Sequence, residues 1–198
     1  MSDQARLRDT AELPSSYLKH LTVDLKTDRR LAVAVRGIFV LVALSAVVAA
    51  LLIDLPRDPS WGPAVTIPLT LAACLVYMAV HEATHGVLLQ LLTKVKPSYA
   101  VRFPFLTTGN HAYLTRRSAV IVALAPSVLW GIVLILALFT LPQDYLLSAY
   151  ILLTLNFAGS AGDFVEVYVV SRQQPDALVK DDGNQIHVFV PENSSFAN

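Results

Sequence analysis

Four runs of this chain are apolar for long enough to cross a hydrocarbon layer of about 30 Å, and that leaves few folds open to it. They are about Leu31–Ile53, Val65–Leu92, Ser118–Leu141 and Leu146–Val170. Backbone amides in lipid must bond within their own segment, so each run is expected as a helix. The first run ends in small residues (Ser45, Ala46, Ala49, Ala50) as a secretory signal does, but the polar stretch before it is too long for a signal's charged region. An uncleaved span is expected. Lys and Arg set the orientation. The N-terminal segment carries Arg6, Arg8, Lys19, Lys26, Arg29 and Arg30. The loop from Thr93 to Arg117 carries Lys94, Lys96, Arg102, Arg116 and Arg117, whereas the loop from Asp54 to Ala64 has only Arg57. Both termini and the central loop are expected on the cytoplasmic side of a multi-pass cell membrane protein.

The second run contains His81-Glu82-Ala83-Thr84-His85. On a helix this spacing stacks two imidazoles one turn apart on one face, where both reach a single Zn²⁺. The Glu between them lies beside the position of an activated water and can take its proton. Ionisable groups are rare in spans and are functional there by default. The bland reading is a polar cluster that glues helices together.

A catalytic zinc takes three protein ligands and keeps one position open. Outside the motif, Asp163 is the best candidate for the third: an acid in the fourth run, flanked by the small residues Ala161 and Gly162. Its depth agrees. His85 and His81 lie seven to eleven residues from the end of their run, and Asp163 seven residues from the end of its own. At 1.5 Å per residue these are about 10–17 Å below the boundary. Glu166 is the alternative ligand, or an acceptor for a His N–H. Asn156, seven residues before Asp163, shares its face and either binds substrate backbone or braces the site. His111 sits in the central loop. His20 and His187 read as surface residues, and the Asp181–Asp182 pair as solvated charge.

Elsewhere the signals are weaker. Val101, Phe103 and Phe105 alternate with Ala100, Arg102 and Pro104, as in a short strand or hairpin, or an ordinary connector with exposed aromatics. A strand there would offer an edge to an extended substrate. Ala125-Pro126 in the third run bends a helix and frees a backbone carbonyl. Tyr17, Leu18, Leu21, Val23 and Leu25 fit a short interfacial helix or a solvated tail. A short strand is expected at about Gln185–Val190. Cys74 is the only cysteine, so no disulfide forms within the chain. The chain is 55% hydrophobic with a formal net charge of +0, which gives no reason to expect nucleic acid as a partner.

These residues resemble known groups. The motif in one span, a proline-bearing span next and Asn156…Asp163 in the following span resemble the site-2 protease core, in which two His and an Asp from three helices hold zinc. The closer resemblance is to a family of small prokaryotic integral membrane proteins, the zincin peptidases that share His-Glu-x-x-His, an Ala-Pro in the next span and Gly-Ser-x-Gly-Asp in the last. Here these read Ala125-Pro126 and Gly159-Ser160-Ala161-Gly162-Asp163, and the likeness runs from about His81 to Pro175. Site-2 proteases differ in carrying Asn-x-x-Pro and Asp-Gly, where this chain has Gly159 and Phe164, and no substrate-sorting domain is expected here.

The apolar runs and the resemblance together lead to the expectation of an all-α membrane protein: four transmembrane helices with a site-2-protease-like three-helix catalytic core, the central loop being a short β-hairpin or a connector. Residues 1–30 would be a cytoplasmic segment, 31–175 the transmembrane zinc peptidase domain and 176–198 a cytoplasmic tail. The resemblance implies a zinc metalloendopeptidase acting on membrane protein or peptide substrates in the bilayer, with Glu82 as base and His81, His85 and Asp163 on Zn²⁺. The rival readings are a non-catalytic metal-binding scaffold or degenerate peptidase, and a metal or proton transporter subunit.

Overall fold

The structure is a computed structural model that describes residues 8–25, 27–56, 58–102, 105–109, 111–183 and 185–192, with side chains left aside at 100–102 and 105–107. Phe103 and Pro104, part of the alternating stretch, and Arg6, Lys26 and Arg57, used for orientation, lie outside the described residues.

Each apolar run is helical. Helix α1 (Arg29–Leu52) starts where the Asp28 side chain accepts the N–H groups of Arg30 and Leu31. None of its residues is buried, and Leu41, Leu44, Val47 and Leu52 are all exposed. A helix that is apolar all round and buries no residue against protein needs lipid around it. Helix α2 (Pro63–Thr93) has Pro at its first position, where a missing N–H costs nothing, and stops at Lys94 in the left-handed region. Helix α3 (Arg116–Thr140) is capped by Thr115, whose hydroxyl accepts from the Ser118 N–H. These three, with Gln143–Ser171, are long and apolar enough to cross a membrane.

The fourth run is not one helix. Helix α4 (Gln143–Gly159) ends and α5 (Ala161–Ser171) begins at Ser160. The break puts Asp163 in the first turn of α5, where the unbonded N–H groups of a helix start favour a carboxylate.

The chain is not all-α. Strands β1 (Tyr17–Val23), β4 (Leu114–Thr115), β5 (Leu178–Asp181) and β6 (Ile186–Pro191) form an antiparallel sheet in the order β1-β6-β5-β4. The Tyr17–Leu25 stretch is therefore neither an interfacial helix nor a solvated tail. Residues 17–23 pair with β6, Leu18 opposite Val190 and Val23 opposite Ile186. The expected C-terminal tail supplies β5 and β6 of this sheet, β6 falling where a short strand is expected. Leu178, Val179, Val188 and Val190 are at most 2% exposed, and the three valines pack with Val122, Val169 and Val170. These strands are short, and each becomes stable only when the others cover it. The core thus lies where the sheet meets the start of α3 and the end of α5. A separate hairpin, β2 (Ser98–Arg102) with β3 (Phe105–Gly109), occupies the expected place in the central loop.

Candidate metal centre

Helix α2 presents His81 and His85 one turn apart, both buried, with ring centroids 5.0 Å apart. Ligand atoms of His81, Glu82 and His85 all lie within 4.8 Å of one another. From α5, Asp163 turns one carboxylate oxygen to each ring: Oδ2 is 3.4 Å from His81 Nε2 and Oδ1 is 3.6 Å from His85 Nε2.

The other ring nitrogens are also engaged. His85 Nδ1 is 3.0 Å from the Val122 carbonyl of α3, which can only accept, so Nδ1 carries the proton. His81 Nδ1 is 3.3 Å from the Tyr77 hydroxyl. That hydroxyl donates to Asn156 Oδ1 in a short hydrogen bond, so its oxygen accepts from His81 Nδ1–H. Asn156, fully buried, in turn donates from Nδ2 to the Ser127 carbonyl at 2.9 Å. Both rings therefore keep Nδ1 protonated and turn the Nε2 lone pair towards Asp163. Two imidazole lone pairs and a carboxylate suit zinc.

Residues 74–178, just over half of the chain, match the family model described as putative zincin peptidase. The chain belongs to that family. Zinc is the cofactor the zincin peptidase family implies, and the His-Glu-His cluster on α2 is able to hold a metal ion. The matched residues run from the middle of α2 to the first residue of β5, leaving out β1, α1 and β6. No curated protein and no solved structure matches the chain.

Beside His85 lies a cavity of about 190 Å³. Glu82, His85 and Asp163 reach it, together with Thr108, Glu166, Asp181 and Gly183. Thr108 of β3 holds Glu82: its hydroxyl is 2.8 Å from Oε2 and 3.0 Å from the Glu82 carbonyl oxygen. The hairpin closes onto its surroundings through two glycines. A Cβ on Gly86 would strike the Tyr99 ring, and one on Gly109 would strike the backbone of Asp182.

Of the residues marked in the sequence, His81, His85, Glu82 and Asp163 come together, and Glu166 lines the same cavity. Glu166 accepts neither His Nδ1–H, since Tyr77 and Val122 take those places. Asn156 reaches the centre through Tyr77. His20 and His111 are exposed, and His187 lies by Thr22 and Asp182 in the sheet. Asp181 is not solvated charge: burial, and then the carboxylates of Asp182, Asp163 and Glu82, lift its pKa to about 7 against the pull of a hydrogen bond from the Gly183 N–H. Tyr77 and Thr108 drew no notice in the sequence. Tyr77 was open to detection, being four residues before His81 and so on its face; Thr108 carried no signal, because only the hairpin's docking brings it to Glu82.

Proposed function

We propose that this protein is an intramembrane zinc metalloprotease of the cell membrane, with both termini cytoplasmic, that hydrolyses peptide bonds of membrane protein or peptide substrates. The observation that carries the reading is Glu82. It stands between two His whose Nε2 atoms face one Asp163 carboxylate, and it opens into the same cavity. A structural metal clamp has no use for such a carboxylate. His81, His85 and Asp163 would hold the ion. Zinc there supplies polarisation of a scissile carbonyl and a water acidified towards pKa ~7. The Glu82 carboxylate takes a proton from the attacking water and delivers it to the leaving amine. Thr108 keeps that carboxylate aimed into the cavity. A helical substrate must unwind locally, since its amides are otherwise bonded and shielded. The β2–β3 hairpin, tied to Glu82 through Thr108, offers an edge for the extended segment.

The test is zinc content and cleavage of a membrane-inserted peptide by detergent-purified wild type, Glu82→Gln and Asp163→Ala. The expected outcome is about one zinc per chain in wild type and Glu82→Gln, loss of zinc in Asp163→Ala, and turnover in wild type alone. Turnover by Glu82→Gln at the wild-type rate would sink the mechanism. Zinc without cleavage in wild type would favour the scaffold, and zinc flux into proteoliposomes the transporter.

A further inference from the structure

Pro126 lies inside α3, fully buried. In a regular helix the N–H of residue 126 would bond to the carbonyl of residue 122. Proline has no N–H, and its ring pushes the carbonyl one turn back away from the helix axis. The carbonyl in question is that of Val122, the one that His85 Nδ1 meets at 3.0 Å. Val122 is itself buried, and an unpaired carbonyl at that depth is costly. The two deficits cancel: α3 lacks one donor, and His85 provides it.

We propose that Pro126 is a positioning residue of the metal centre, which withholds an amide from the Val122 carbonyl so that this carbonyl fixes His85 in the Nδ1–H tautomer. The inference rests on the zinc reading of the site. His85 thereby has its Nε2 lone pair committed to the cavity before any ion arrives. The two histidines are held by different devices. His81 depends on side chains, through Tyr77 and Asn156; His85 depends on a gap in a neighbouring helix. An acceptor behind a metal-bound His is commonly worth 10–100-fold in metal affinity.

The experiment is Pro126→Ala in the full chain, with three readouts: zinc affinity by competition with a chelator, the His85 tautomer by ¹⁵N NMR of zinc-free protein, and thermal stability. Alanine returns an N–H to the helix and lets the Val122 carbonyl swing back towards the axis. Zinc affinity is expected to fall about 10–100-fold and the His85 Nδ1–H signal to give way to a mixture, while the melting temperature holds or rises, since alanine suits a helix interior better than proline. A purely structural proline would move stability and affinity together. Unchanged affinity with an unchanged tautomer would overturn the proposal. Pro68, in the interior of α2, is the control, about 20 Å along that helix from His81. Pro68→Ala should change neither zinc affinity nor tautomer, and an equal loss there would also overturn it. Should Pro126→Ala fail to fold, the zinc-free wild type decides alone: an Nε2–H tautomer at His85 would refute the inference. If wild type binds no zinc, the functional reading fails, and the tautomer measurement still judges Pro126.

Discussion

Asp181 shows how far a residue's meaning depends on what folds over it. In the sequence it is one of two acids in a polar stretch. In the structure it borders the metal cavity, near Glu82, Asp163 and Glu166, and burial raises its pKa from the ordinary 3.8 to about 7. Between those two values the folded chain binds more protons than the unfolded one. Stability of the zinc-free protein should therefore fall as pH rises from about 4 to about 7, and level off above. Asp181→Asn removes the cost of ionising this group. It should raise stability at pH 8, on the order of 1–3 kcal/mol, and flatten the pH profile. Denaturation of both proteins at pH 5 and pH 8 checks this, and an equal pH slope in the two would refute it. His81, Glu82, His85 and Asp163 were legible because helical spacing and depth are properties of their own segments. Asp181 was not, because it borders a cavity whose facing walls, Glu82 of α2 and Thr108 of β3, come from distant parts of the chain.

The same division holds for whole elements. All four apolar runs and the approximate place of β6 and of the central hairpin could be read from local pattern. The break at Ser160 could not, since its flanking glycines read equally well as sites of close helix approach. Nor could β1, whose outward residues are polar and apolar in no clear order. The hairpin's role rests on tight seating. Gly109 lies so close to the Asp182 backbone that a Cβ would sit 2.4 Å from it, and its neighbour Thr108 holds Glu82. Gly109→Val should lift the end of β3 away from the β5–β6 turn, costing about 1–3 kcal/mol of stability as overpacking does. Glu82 would lose its hydroxyl partner while the histidines and Asp163 stay in place. The expected result is normal zinc content with peptide cleavage reduced about 10–100-fold, the scale of a small misplacement at a reacting centre. Loss of zinc in this variant would mean that the hairpin supports the ligands rather than the base.

At the scale of the whole molecule, the four-stranded sheet limits how the chain can cross a membrane. It takes β1 from before the first spanning helix, β4 from the end of the central loop and β5–β6 from after the last. Strands that pair cannot lie on opposite sides of a bilayer, so these three segments share one side. The segments are also where Lys and Arg gather, including Lys19, Arg29, Arg30, Arg116 and Arg117. With the positive-inside rule, this supports the proposed cytoplasmic placement of the shared side. It follows that a fluorescent protein fused to either terminus should fold and fluoresce, as it does only in the cytoplasm. A cysteine placed at Ser60, in a chain with Cys74 replaced by Ser, should react with a membrane-impermeant maleimide added to intact cells. One placed at Lys180 should react only after lysis. Labelling of Lys180→Cys in intact cells would reverse the orientation without disturbing the sheet. Labelling of the two termini from opposite sides would contradict the pairing of β1 with β6, and with it the cover over the metal cavity.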